Sequence, residues 1–387
     1  MGECFVIIIN VVYRWWEILS SGLCAHRHIP EASRPRKARK SFPPFINFMN
    51  KKIYQLLIVL LSIMALAIGG YLVLARFYGG ITWKNFSNNQ TQSPQYFSTL
   101  DGLVVDSPEK TNPYVVGIMI DNHPDARPQT GLSAAKIVYE ASAEGGITRY
   151  FAIFDVSQKV DKVGPVRSAR PYFVDWLEEY SGLYMHCGGA PEALVKIDKD
   201  QVLSANEFYN GKYYWRDDQR KAPHNLYTNS ELWNKFLAVH DSRSKLFSND
   251  WNFGELNVSS TEKVKNLTIN FNAGDRTGWA YDSINKNYLR SINGEMHTEN
   301  NLPLVADNVV IQYVKTQIID DYGRQDITTI GSGDLRVLRD GVMIRGVWKK
   351  IDNRTRWYDK NGAEINLKPG KIWIEIVPND TNIKIST

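Results

Sequence analysis

Cysteine is nearly absent from this chain. Three occur in 387 residues, Cys4, Cys24 and Cys187, and they lie far apart. That spacing excludes a disulfide framework and any Cys-x-x-Cys zinc or redox motif. Common catalytic signatures are missing too. There is no G-x-x-x-x-G-K-[ST] loop, no H-E-x-x-H and no G-x-S-x-G. A basic field for phosphates is also lacking. The net charge of +5 divides into +7 over residues 1–76 and −2 over the remainder. The globular part is therefore near neutral, which argues against a nucleic-acid partner. Charged residues are 22% and apolar residues 43%, close to a folded average, so wholesale disorder is excluded.

The chain does contain one long uncharged run. Ile53 to Ala75 has 23 residues without a charge. About 20 suffice to span a bilayer core, and a soluble helix seldom lacks a polar stripe for so long. The basic excess precedes the run, so residues 1–52 are expected on the cytoplasmic side and the rest outside, with Ile53–Ala75 as the cell-membrane anchor. A cleaved signal peptide competes with this reading. The run exceeds the roughly 7–15 residues of a signal core and no clear A-x-A site follows, which favours an uncleaved single-pass signal-anchor. No cysteine stands just after the run to accept a lipid. Met49-Asn-Lys-Lys resembles an ordinary start, so residues 1–48 are expected not to be native sequence. Residues 76–112, rich in Asn, Ser, Thr, Gly and Pro, read as a linker.

From Tyr114 onward short apolar runs alternate with helical patterns. Val115–Ile120, Ile137–Tyr139, Tyr150–Phe154 and Leu183–Met185 read as buried strands. Ser168–Tyr180 reads as a helix capped by Ser168 with Pro171 in its first turn, and Pro191–Ile197 as a shorter one. Thr228 and Glu231 form a capping-box pattern before a helix reaching His240. This alternation predicts a mixed α/β domain over 113–245. Residues 246–261 read as a junction. Beyond it, strand-like runs separated by Asp340-Gly341 and Asn361-Gly362, with Asn293-Gly294 closing another, predict a smaller β-rich domain over 262–380.

Several predicted strands end in polar residues. Asp121-Asn122-His123 follows the first, Glu140 and then Glu144 the second, and His186-Cys187 the fourth. In a parallel α/β sheet such ends share one crevice; if the strands are antiparallel they separate to two edges, and the pattern leaves this open. Asp121-Asn122-His123-Pro124 also fits a plain turn, and His186 fits a satisfied buried histidine. Arg127, Arg149, Arg167, Arg170, Arg216 and Arg220 fall in or beside loops, where guanidiniums suit carboxylates or phosphates. Surface salt bridging is the plainer role for any one of them. His224-Asn225 adds a loop dense in hydrogen-bonding groups. His123, His186 and His224 with Asp121 are spaced too irregularly to assign a metal, and no cofactor is expected.

Taken together these segments resemble the YerB-like family of bacterial envelope (lipo)proteins, whose function is unknown. The matching stretches include Gly117–Pro124, Ala126–Gln129, Glu144–Arg149, Gly164–Pro171, Lys221–Tyr227, Tyr322-Gly-Arg324 and Arg339-Asp-Gly341. The resemblance implies an extracytoplasmic, two-domain bacterial protein. It supplies no reaction. Three functional readings remain. The first is a binder of an anionic or cell-wall-derived ligand in a crevice lined by Asp121, Asn122, His123, Arg127, Glu144, Arg149, Arg167, Arg170, His186, Arg216, His224 and Asn225. The second is an envelope hydrolase with Glu144 or Asp121 as base and His186 or His224 as acid. The third is a scaffold for envelope enzymes. A pocket gathering His186, an acid and two arginines is what the first two require.

Overall fold

A computed structural model describes residues 51–77, 94–240, 251–258, 262–271, 276–351 and 354–387. The basic segment up to residue 50, residues 78–93 of the expected linker, and residues 246–250 and 259–261 of the expected junction lie outside the described residues. The chain divides into two compact units, residues 1–89 and 90–387.

In the first unit the uncharged run forms helix α1 (Lys51–Phe77), 27 residues long. Its described side chains, Leu56, Leu57 and Val59 to Tyr71, are exposed, Leu66 to 76%. Counting only described residues, no helix is long and apolar enough to cross a membrane.

The second unit is built on one ten-stranded sheet. Its strands are β1 (Val115–Asp121), β2 (Ile137–Ser142), β3 (Thr148–Asp155), β4 (Leu183–His186), β5 (Ser204–Asn206), β6 (Asn308–Val314), β7 (Gly331–Arg339), β8 (Val342–Ile351), β9 (Arg354–Asp359) and β10 (Ile372–Pro378). Their order is β9-β8-β7-β6-β10-β2-β3-β1-β4-β5. The stretches 113–245 and 262–380 therefore share a sheet. They join where β10 runs parallel to β2, with Glu375 opposite Glu140. Residues 96–112 also fold here: Tyr96–Phe97 pairs with Val104–Val105, and Leu100 is buried.

The period-2 alternation of each strand covers both faces of this sheet. On one face Ile118, Tyr150, Ile311 and Trp373 share a core with Leu267, Ile269 and Trp279. Those last three belong to a second, antiparallel sheet centred on Asn266–Asn270, Arg276–Asp282 and Asn287–Ile292. On the other face Met119, Phe151 and Ile374 pack with Phe173, Trp176 and Leu177 of α2 (Pro171–Glu178). Helices α3 (Pro191–Lys199), α4 (Glu207–Asn210) and α5 (Ser230–His240) complete the unit.

Two helix starts differ from the sequence reading. The residue before α2 is Arg170, not Ser168, with Pro171 filling the first position. At α5 the Asn229 carboxamide accepts the Leu232 N–H at 2.9 Å, while the Thr228 hydroxyl is buried and donates to the Tyr213 carbonyl. Asn is as good a cap as Thr, and the core claims the threonine. Two of the predicted turns, Asn293-Gly294 and Asp340-Gly341, carry positive φ at both residues, as a two-residue hairpin with the strands' twist requires.

A closed hydrogen-bond ring sits where the two sheets meet. Arg290 donates to the Glu140 carboxylate at 2.5 Å and to His297 Nδ1 at 2.6 Å. His297 Nε2 meets Gln129 Oε1 at 2.9 Å. Gln129 donates to Asn122 Oδ1 at 3.0 Å, Asn122 to the Thr148 hydroxyl at 2.7 Å, and Thr148 back to Glu140 at 2.6 Å. From Arg290 through His297, Gln129, Asn122 and Thr148 every donor points toward Glu140, so each bond polarises the next, and the direct Arg290–Glu140 bond closes the ring. All six side chains are buried.

Glu375 lies beside this ring with one oxygen accepting from the Trp279 indole at 2.8 Å and the other reached by no donor. Burial, then the neighbouring Glu140, pushes its pKa well above 4.5, which favours the protonated form in the folded chain. The unfolded chain releases that proton above about pH 4.5, so this group makes stability fall as pH rises. Glu375→Gln should therefore be at least as stable as the parent at pH 7 and lose its advantage below about pH 4 in urea melts. Arg290→Met, which strands the Glu140 carboxylate, should cost about 3–5 kcal/mol at neutral pH in the same melts.

Candidate functional site

Strand direction decides which polar ends meet. β1, β2, β4 and β5 all run one way, and β3 runs against them. The C-terminal ends of the four and the N-terminal end of β3 therefore share one edge. Asp121, Glu144, Arg149 and His186 all lie along it, but they do not converge on one point.

The centre of the edge is Asp121. One carboxylate oxygen accepts the His123 backbone N–H at 2.9 Å. The other meets His224 Nδ1 at 2.8 Å and Arg167 Nε at 3.1 Å. Burial opposes ionisation here. The His123 N–H, the Arg167 charge and the His224 hydrogen bond together outweigh it and hold the carboxyl below its usual range. His224 is delivered by the loop before Leu226–Tyr227, and its ring stacks on His123 with centroids 4.6 Å apart and planes 15° apart. Arg167 is delivered by the segment after β3: its N–H bonds the Met119 carbonyl, and Val166 bridges Ile120. Because Asp121 holds His224 Nδ1, the other ring nitrogen is left to act. Such a pairing fixes the tautomer of a histidine that binds or moves a proton.

Beside this centre lies a second group. Glu144 bonds Arg170 Nε and sits 3.4 Å from Arg149, whose other terminal nitrogen donates to the Ser168 carbonyl at 2.8 Å. Burial works against the Glu144 charge, but the two arginines keep its pKa lowered. Burial brings Arg149 down to about 10, which leaves it charged at neutral pH. A third group joins Arg216 to Glu207 at 3.1 Å and to Asn225 at 3.0 Å. Cys187 approaches Glu207 at 3.3 Å; burial and that carboxylate raise its pKa to about 11, so it is no nucleophile.

Several expected site residues serve the fold instead. His186 is fully buried, with Nδ1 on the Gly188 carbonyl and Nε2 on the Ser204 hydroxyl, both at 2.7 Å. It borders an open cleft of about 460 Å³ shared with Leu194, Ile197 and Tyr209, away from Asp121. Among the described residues, the His186 ring nitrogens bond neither an acid nor an arginine. Asn122 is a member of the buried ring, and Arg127 is bound to it through Nε and through its carbonyl. Arg220 closes onto the Ala126 and Pro128 carbonyls. Sequence reasoning missed Gln129, Thr148, Arg290 and His297, whose joint role depends on contacts up to 168 residues apart. It also missed Asp125, next to His123 on the turn Pro124–Ala126.

With this geometry in hand, comparison with known proteins defines the class. Residues 100–243 match the family described as "Protein of unknown function (DUF3048) N-terminal domain", and residues 267–374 match its C-terminal domain. The chain belongs to this family. It is 34% identical over 270 residues to the "Putative lipoprotein YerB" of Bacillus subtilis (strain 168), covering 68% of this chain and 81% of the relative. The crystal structure of the YerB protein from Bacillus subtilis superposes with a TM-score of 0.67 at 33% identity, covering 74% of this chain and 99% of that one.

The buried histidines set a pH response. Burial lowers the His186 pKa to about 4 from 6.5, and burial with Arg290 lowers that of His297 to about 2. Both therefore bind a proton more readily when unfolded. The resulting stability is complete above about pH 6.5 and is lost as pH falls toward 4. Proton-coupled NMR of the imidazoles should show no titration of either ring between pH 5 and 8, and urea midpoints should drop over pH 6.5 to 4.

Proposed function

We propose that this chain is a membrane-anchored extracytoplasmic protein that binds an anionic, cell-wall-derived ligand at the Asp121–His224–Arg167 centre. The carrying observation is the state of Arg167. Asp121 engages it through Nε, its side chain is 27% exposed, and the other site arginines are tied to Glu144, Glu207 or to the chain itself. A guanidinium oriented by a carboxylate from behind presents its terminal nitrogens to a carboxylate or phosphate. His224 and His123 stand beside it as further polar contacts.

The localisation part rests on helix α1 and on the relative. In the sequence the run Ile53–Ala75 has 23 residues without a charge, and about 20 suffice to span a bilayer core. Basic residues precede it. The Bacillus subtilis relative is named a lipoprotein. Here an uncleaved helix takes the place of a lipid anchor. A reporter enzyme that folds only outside the cytoplasm, fused after residue 112, should be active and remain in the membrane fraction; a soluble, shortened product would refute the anchor.

The hydrolase reading is favoured by one feature, the Asp121–His224 pair, and with changed roles. Asp121 orients, His224 acts, and Glu144, held by two arginines, is no base. His224→Gln separates the readings: it abolishes product formation in a hydrolase and only weakens binding in a receptor.

The main test uses the full chain in detergent with purified anionic muropeptides. Isothermal titration should show saturable binding that Arg167→Gln weakens by roughly 10- to 100-fold, the value of one charge-assisted hydrogen bond at about 1.5–3 kcal/mol. Arg276→Gln, on the second sheet, should bind like the parent. Absence of binding to any fraction of a cell-wall digest, or equal binding by the Arg167 variant, would sink the proposal.

A further inference from the structure

Folding brings together a donor set that the linear spacing hides. His123, Asp125 and His224 each offer one ligand atom, and these atoms lie within 4.8 Å of one another. We propose that these three side chains bind a divalent transition-metal ion of the zinc class, with Asp121 orienting His224 from behind.

Four observations carry this. The first is the donor chemistry. Two imidazoles and one carboxylate are a zinc-type set, whereas magnesium and calcium take oxygen ligands almost throughout. The second is the Asp121–His224 contact at 2.8 Å, through Nδ1. A metal-bound histidine commonly gives its second ring N–H to a carboxylate, which fixes the tautomer and aims the free nitrogen at the ion. Asp121 is itself held by the His123 N–H and Arg167, so this support is rigid. The third is placement. His123 and Asp125 lie on one short turn, where His123 Nδ1 accepts the Asp125 N–H at 3.1 Å. His224 reaches that turn from a separate loop, its ring lying over His123 with centroids 4.6 Å apart, and the partly exposed His123 ring must turn out of the stack for both in-plane lone pairs to face one ion. The fourth is access. The His123 side chain is 36% exposed and that of Asp125 76%, so an ion and its water reach the group from solvent.

Three protein ligands leave a coordination position open for water or for an anion. An ion of charge +2 beside a single ligating carboxylate keeps an excess positive charge next to Arg167. The metal would then add to the attraction for an anionic ligand, but its binding does not depend on that reading. Binding also requires both imidazoles without their ligating-nitrogen protons, so loading releases protons to the buffer.

The test uses zinc alone. The full chain is purified in detergent, stripped with EDTA and titrated with zinc chloride by calorimetry. One saturable ion per chain is expected at this site. His224→Ala and Asp125→Asn should each remove or strongly weaken it. Asp121→Asn, which touches no ion, should weaken it by about 10- to 100-fold through loss of the orienting acceptor. His240→Ala, at the end of α5, should bind as the parent does. Circular dichroism in EDTA checks the fold of every variant, and the exposed Asp125→Asn serves if His224→Ala does not fold. No saturable zinc binding, or binding undiminished in Asp125→Asn and His224→Ala, overturns the proposal. Failure of muropeptide binding with zinc binding intact would remove the anion reading and leave the metal site standing.

Discussion

The fold turns on a single buried cation. Arg290 comes from the second sheet and is fully buried against Glu140 of the large one. A charge in that position is tolerable only if its partners are fixed. Its two terminal nitrogens reach a carboxylate and a neutral imidazole, and both of those pass the constraint on. Through Gln129 and Asn122 it arrives at the residue beside Asp121. The C-terminal half of the chain thereby sets the strand end on which the candidate site is built. A well-packed apolar set in its place would hold the sheets together by burial, but no apolar set would dictate the orientation of Asn122.

The site itself is a contest for arginines. Six fall in or beside its loops, and each bonds a carboxylate, carboxamide or backbone carbonyl of the protein itself, Arg167 the Asp121 carboxylate. That outcome follows from where they sit. Arg127, Arg170 and Arg220 all donate to backbone carbonyls of nearby turns, and a guanidinium is the side chain best able to satisfy several acceptors at once. The Arg167 backbone pairs with β1, and its side chain stays partly exposed. Its side chain is left with Asp121 alone.

Much of the fold was legible from local patterns. The strands β1 to β4, the second-sheet strands and two of the Asx-Gly turns follow from apolar runs and turn chemistry that operate within ten residues. What escaped was long-range. The parallel pairing of β10 with β2 depends on two apolar runs over 200 residues apart, and nothing in either run names the other. The two expected domains accordingly share one sheet. For the site, Asp121, His123, Arg167 and His224 were all legible as candidates because they stand in turns after apolar runs. Their grouping was not. His186 carried the same local signature as Asp121, since both end a buried strand.

The difference between those two strand ends is chemical. β1 ends beside a segment that brings a guanidinium and an imidazole, so a carboxylate there gains partners and remains charged. β4 ends where the chain turns back through Gly188 and Ser204, which offer a carbonyl and a hydroxyl. A neutral imidazole satisfies both with one donor and one acceptor, and burial disfavours the charged form. The same rule explains His297, which receives from Arg290 and gives to Gln129. Among the described histidines, then, His186 and His297 in the interior link a donor to an acceptor, His240 is exposed at the end of α5, and His123 and His224 stand together at the edge beside Asp121. Any activity of this protein that uses a histidine should be sought on that pair.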